Sequence, residues 1–248
     1  MLNTMRNIVV TGGSRGIGLG IARKLSASGF HVIAIARSSS TFLETAIAEA
    51  ETNGAGRISF YSQDLAEIDM LQDTARTLRR TFGPIYGIVN NAGLGTSGLL
   101  CNMREADIER LARMNIVSPM VLTKHILRQM LTARSGRVVN IASIVAITGY
   151  QGISVYSASK SAMLGFTRSL AREVGSLGIT VNAVLPGFVD TEMTLDLDEA
   201  ARRKIAHRSA LGRLTAVEDI ANAVDYLIGD QAQGVTGSIM VVDAGSTA

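Results

Sequence analysis

The chain has 248 residues, 47% hydrophobic and 18% charged, with a formal net charge of +3. That balance excludes a disordered chain, which needs low hydrophobicity and high net charge. A single cysteine excludes a disulfide-stapled scaffold. The basic residues are scattered, and the clusters Arg79-Arg80 and Arg202-Arg203-Lys204 fall in helical segments, so no nucleic-acid surface is expected.

From the amino end, Met1–Val10 has neither a long apolar core nor a small-residue cleavage site, so no secretory signal is expected. The lone Cys101 fits a reducing compartment, and a cytoplasmic location follows. Candidate strands are Asn7–Val10, His31–Ala36, Arg57–Ser62, Ile85–Asn90, Arg137–Ala142, Thr180–Leu185 and Ser238–Val242. Their near-continuous Val, Ile and Ala content marks strands covered on both faces. Helical patterns fall between them at Ile17–Ser28, Phe42–Asn53, Met70–Phe82, Glu105–Arg134, Tyr156–Leu177, Asp198–Ala206 and Val217–Gly229. The alternation predicts a Rossmann-type α/β fold: a doubly wound parallel sheet of about seven strands with helices on both faces.

No linker divides the chain, so residues 1–248 read as one domain. The polar segment Thr191–Leu214 after Pro186-Gly187 departs from the sheet pattern and reads as a lid. Ile85–Met103 and Val138–Ser159 carry no charge and match a bilayer in length. Their glycines and their Asn, Ser, Thr or Gln residues make them poor spans, so no membrane partner is expected. They read as buried strand-plus-loop segments.

The first strand runs into Thr11-Gly12-Gly13-Ser14-Arg15-Gly16-Ile17-Gly18 and then a helix. Glycines there let the backbone approach a pyrophosphate seated at the helix N-terminus. A dinucleotide site needs a selector after the second strand: an acid for the NAD ribose, or an arginine for the NADP 2′-phosphate. That strand ends at Arg37 followed by three serines, with no acid. Arg37 and Arg15 suit a dianionic phosphate by charge and forked geometry, which predicts NADP(H).

Tyr156 and Lys160 lie one helical turn apart and share a face. Ser143 ends the fifth strand, and Asn115 sits in a helical segment. Carbonyl reduction needs a proton donor at the developing alkoxide. A tyrosine can supply it if a nearby ammonium lowers its pKa, while a serine hydroxyl polarises the carbonyl. His31, His125 and His207 have no metal-like spacing, so no metal site is predicted.

These motifs, together with Asn90-Asn91-Ala92-Gly93 and Pro186-Gly187, occur in one order and spacing, and the chain resembles the short-chain dehydrogenase/reductase family over its whole length. The resemblance implies Tyr156 as general acid, Lys160 as ribose ligand and pKa-lowering cation, and Ser143 as carbonyl-orienting group. Asn115 would kink its helix around a water in a proton relay. Gly12, Ser14, Arg15, Gly16, Ile17, Gly18 and Arg37 would hold the phosphates, and Asp64 and Leu65 the adenine. Asn91, Ala92 and Gly93 would line the cofactor cleft. Pro186, Gly187, Val189 and Thr191 would contact the nicotinamide end. By its place after that segment, Met193 reads as a lining residue of the substrate pocket, and Tyr150 reads either as another or as surface packing. The resemblance also implies a homotetramer, with one interface built on the long helices after the fourth and fifth strands and another on the last strand and helix.

Leu170–Val174, Gly178–Val189 and Gly212–Leu214 look like the 3-oxoacyl-[acyl-carrier-protein] reductases, which implies an NADPH-dependent carbonyl reductase acting on a 3-oxoacyl thioester. Arg134 stands where such enzymes place a basic residue for the carrier protein beside the cleft. Leu177 stands where a second is often found, so the acyl carrier protein and a small free substrate both stay open as partners. An NADP-dependent alcohol or polyol dehydrogenase is the alternative enzyme. A non-catalytic NADP(H) sensor is the alternative of another class, which the Asn-Ser-Tyr-Lys set argues against.

Overall fold

The computed structural model describes residues 5–189 and 199–248. Seven strands, β1 (Asn7–Thr11), β2 (His31–Ala36), β3 (Arg57–Ser62), β4 (Ile85–Asn90), β5 (Gly136–Ile141), β6 (Ile179–Pro186) and β7 (Ile239–Val242), form one sheet. Their order is β3-β2-β1-β4-β5-β6-β7, and every pairing is parallel. The helices are α1 (Gly16–Ala27), α2 (Thr41–Asn53), α3 (Leu71–Phe82), α4 (Glu105–Ala112), α5 (Ser118–Ala133), α6 (Ser154–Val174), α7 (Glu199–Arg208) and α8 (Val217–Ile228).

Strand composition follows from this arrangement. In β1, Ile8 and Val10 pack under α1, α2 and α8, whereas Val9 between them packs under α3, α5 and α6. All three are fully buried. Alternation puts successive side chains on opposite faces, and here both faces are core. The helices pack closely: a methyl group on Gly20 of α1 would lie 2.1 Å from Val217 Cγ1 of α8.

The single helix expected over Glu105–Arg134 is broken in the structure. It is α4, a π-helical turn over Arg113–Val117, and then α5. Pro119 stands in the first turn of α5. It has no N–H for the Asn115 carbonyl four residues back, and its ring crowds that carbonyl, so the backbone widens there. The other helix ends coincide or shift by at most three residues. Of the expected Asp198–Ala206 helix, Asp198 lies outside the described residues, as does Thr191–Asp198 of the expected lid.

Strand order reverses between β1 and β4. In open α/β sheets a crevice forms at the carboxyl ends of the strands at this point. The loops leaving β1, β4 and β5 carry the glycine string, Asn91–Gly93 and Ser143 to that edge.

Candidate active site

The glycine loop turns sharply because Gly12 and Gly16 take left-handed φ values of +66° and +53°. A Cβ on Gly18 would sit 2.2 Å from the Gly12 carbonyl oxygen and 2.5 Å from Asn91 Nδ2. No side chain at that position leaves the loop its shape. Across the switch point, Thr11 Oγ1 accepts from the backbone N–H groups of Asn91 (2.9 Å) and Ala92 (3.0 Å). Asn91 Nδ2 donates back to the Thr11 carbonyl at 2.9 Å. The two loops are therefore one hydrogen-bonded unit.

Helix α1 begins at Gly16 with Arg15 as N-cap and no side-chain cap, so its dipole and first-turn amides face the loop. Ser40 donates to the Ser14 carbonyl at 2.5 Å and accepts from Leu43 N at 3.1 Å, fastening the loop to the start of α2. Arg15 and Arg37 are both exposed at this corner. Asp64 Oδ1 accepts from Ala66 N at 2.9 Å, and Ser118 Oγ holds the Leu65 carbonyl at 2.7 Å, which fixes the segment after β3. These residues fit a dinucleotide: a backbone cradle that any Cβ at position 18 would fill, two arginines at its outer end and no carboxylate from 37 to 40.

Beyond Gly93 lies a buried polar cluster. Tyr156 and Lys160 stand on α6, and the Tyr156 hydroxyl shares a hydrogen bond with Ser143. Lys160 is 7% exposed; its Nζ donates to the Ile141 carbonyl at 3.0 Å and lies 5.8 Å from the Tyr156 ring centroid. Asn115, in the π-helical turn, accepts from Leu94 N at 2.8 Å and donates to the Leu94 carbonyl at 2.9 Å and to Ser159 Oγ at 3.0 Å. Ser159 Oγ donates to the Tyr156 carbonyl at 2.7 Å. A Cβ on Gly93 would come within 3.2 Å of Asn115 Oδ1 and 3.5 Å of Lys160 Nζ, so glycine keeps this floor open.

Burial pushes the Tyr156 phenol above its ordinary pKa, and the only opposing influence is the Ser143 hydrogen bond. The Lys160 ammonium, donating to the Ile141 carbonyl, lies over the face of the Tyr156 ring. Burial also lowers Lys160 itself, to about 8.

A family model described as short chain dehydrogenase matches residues 6–202. The chain belongs to the short-chain dehydrogenase family. It is therefore an oxidoreductase acting on the CH–OH/C=O pair. It is 41% identical over 240 residues to a 3-oxoacyl-[acyl-carrier-protein] reductase of Pseudomonas aeruginosa, covering 96% of this chain and 95% of that one. A human 3-oxoacyl-[acyl-carrier-protein] reductase is 38% identical over 236 residues, with 95% of each chain covered. Among solved structures, a short-chain dehydrogenase/reductase from Serratia marcescens superposes with a TM-score of 0.90 at 36% identity over 98% of both chains. A blue fluorescent protein from a metagenomic library, in complex with NADPH, does so with a TM-score of 0.90 at 35% identity, again over 98% of both.

Within this short-chain dehydrogenase, Pro186 ends β6, and Gly187 donates to the Val242 carbonyl at 3.0 Å, so the 186–189 segment closes the cleft beside β7. Val189 bridges to Thr215. Tyr150 packs edge-on against Phe188, with ring centroids 6.1 Å apart, which places an aromatic wall near the expected substrate end. Thr191 and Met193 lie outside the described residues.

Arg134 is not beside the cleft of its own chain. It caps α5 before β5 begins, whereas Ser143 follows the end of β5, so the strand separates them. Leu177 packs half-buried against the core beneath α3, α5 and α6. Sequence reasoning missed Ser40 and Ser159. Ser159 had a signal, since it stands three residues from Tyr156 on the same helix. Ser40 had the N-cap signature of a serine preceding a helix.

Proposed function

We propose that the protein reduces 3-oxoacyl thioesters to the 3-hydroxy forms with NADPH. The observation that carries this reading is a half-buried Ser143–Tyr156 hydroxyl pair, with the buried Lys160 one turn away, continuous with a phosphate cradle bearing Arg15 and Arg37 and no acid. The named reductases of Pseudomonas and human origin, and the NADPH complex of a structural neighbour, support the substrate class and the cofactor.

Gly12 to Gly18 would hold the pyrophosphate, Arg15 and Arg37 the 2′-phosphate, Asp64 and Leu65 the adenine end, and Asn91–Gly93 with Pro186–Val189 the nicotinamide end. Bound NADPH supplies the hydride to the carbonyl carbon. Tyr156 Oη gives its proton to the carbonyl oxygen, and burial keeps that phenol protonated at neutral pH, as an acid must be. Ser143, already bonded to Tyr156, aims a second donor at the same oxygen. Lys160 places a positive charge where the tyrosinate forms. Asn115 ties the Leu94 backbone to Ser159 and holds the floor in register. We further place the enzyme in the cytoplasm as a homotetramer, with residues 191–214 as the substrate lid of a single domain.

A second reading takes a small free ketone or, in reverse, an alcohol. Leu177 in place of a basic residue favours it over a carrier-protein partner. The test is steady-state turnover of acetoacetyl-CoA, a panel of free ketones and polyols, with NADPH and NADH. The expected result is thioester reduction with a strong NADPH preference, which Arg37→Asp cuts about 10- to 100-fold, as loss of a charged phosphate contact requires. Equal kcat/KM for the two cofactors, or turnover of free carbonyls alone, would contradict the respective halves of the proposal.

A further inference from the structure

At the opposite, amino-terminal edge of the sheet lies a second cavity of about 370 Å³. The second residues of β4, β5 and β6, Tyr86, Arg137 and Thr180, line it together with Arg6, Arg134 and Asp230. Arg137 and Thr180 are register partners on adjacent strands, so their side chains leave the same face side by side. Tyr86 is flanked by two guanidiniums: Arg6 Cζ lies 4.4 Å and Arg137 Cζ 5.4 Å from its ring centroid.

The charges in this cavity do not balance. Asp230 is committed to Arg6 by a two-point contact at 2.6 and 3.2 Å. Arg137 is only 4% exposed, yet among the described residues its one hydrogen bond is from Nη1 to the neighbouring Gly136 carbonyl at 2.9 Å. Its Nε and the Thr180 Oγ1 are buried with no hydrogen-bond partner among the described residues. Three arginines against one carboxylate leave two positive charges in the cavity. Burying a guanidinium without a counter-charge is costly, and buried donors are normally paired. The active-site cluster makes no use of any of these groups.

We propose that this cavity is a binding site for a phosphate group, either free or carried on a small metabolite. A dianion matches the surplus of two charges, and planar guanidinium forks grip phosphate oxygens in pairs. One water occupies about 30 Å³ of liquid, so the cavity holds a phosphate with room for the group that carries it.

The test is thermal unfolding of the full chain with saturating NADP+, so that the phosphate positions of the glycine loop are filled. Sodium phosphate is titrated against sodium chloride at equal ionic strength, with glycerol 3-phosphate as a parallel arm. The expected result is a Tm rise of about 2–4 °C over chloride once phosphate exceeds its dissociation constant about fivefold. Arg137→Met should abolish the rise. The exposed Arg134→Asn, which suits the left-handed conformation at that position, should shrink it and carries the test if Arg137→Met does not fold. A larger rise with glycerol 3-phosphate identifies a carried phosphate, and an equal one a free phosphate. No rise over chloride, or the same rise in wild type and both variants, would overturn the proposal.

Discussion

Lys160 shows how burial sets chemistry at a single residue. Its folded pKa of about 8 lies below the ordinary 10.5 because the ammonium is desolvated. Below pH 8 both folded and unfolded chains carry the proton, and the buried charge weighs fully against the fold. Between pH 8 and 10.5 the unfolded chain keeps a proton that the folded chain has released, so this group makes stability rise with pH. The slope is at most about 1.4 kcal/mol per pH unit. Tyr156, whose folded pKa is raised, acts in the opposite sense above about pH 10. Urea unfolding at pH 8 and pH 9.5 should therefore show wild type gaining on Lys160→Met. Parallel behaviour of the two proteins would mean that Lys160 titrates as an exposed lysine does. The same residue also predicts that kcat/KM for NADPH falls as pH rises through about 8, because that ratio reports the free enzyme's groups and the charged lysine is the form that serves the site.

Among the elements, the π-helical turn at Arg113–Val117 matters most. It inserts Asn115 between the Leu94 backbone and Ser159, so one amide joins the loop after β4 to α6. Asn115→Ala removes all three bonds and leaves the Leu94 N–H without its acceptor, a loss of about 1–3 kcal/mol. A lowered urea midpoint together with a raised KM for NADPH is the expected outcome; an unchanged KM would separate the turn from the cofactor cleft. The family resemblance implied a kink at Asn115, but the apolar pattern that gave its neighbours away did not show the turn. Apolar periodicity runs through Glu105–Arg134 without a break, and only Pro119 marks the place where the ladder cannot continue. A proline inside a helical pattern signals an end or a kink at the preceding residues, and here it produces a widened turn instead.

For the molecule as a whole, the five inner strands β2, β1, β4, β5 and β6 were legible because each is covered twice. Ile8, Val9 and Val10 are all core, and no polar residue interrupts them. The glycine loop was legible for a steric reason: position 18 has no room for a Cβ. The placement of Arg134 was not legible, because sequence distance from Ser143 does not say that a whole strand intervenes. Nor was the cavity formed by Arg6, Arg137 and Asp230, whose members stand 131 and 93 residues apart and meet only through sheet order. The direction of the Tyr156 shift was hidden in the same way. Spacing placed an ammonium one turn off, but the path of β5 offered that ammonium the Ile141 carbonyl.

In the proposed reaction Tyr156 is the proton donor to the substrate oxygen. The direct measurement is the initial rate of NADPH oxidation with acetoacetyl-CoA by wild type and by Tyr156→Phe, alongside NADPH binding by both. Removing the hydroxyl keeps the ring packing against the site and deletes the proton donor together with its hydrogen bond to Ser143. The expected result is a loss in kcat of about 10²- to 10⁴-fold with NADPH affinity little changed. A variant that turned over at the wild-type rate would contradict it.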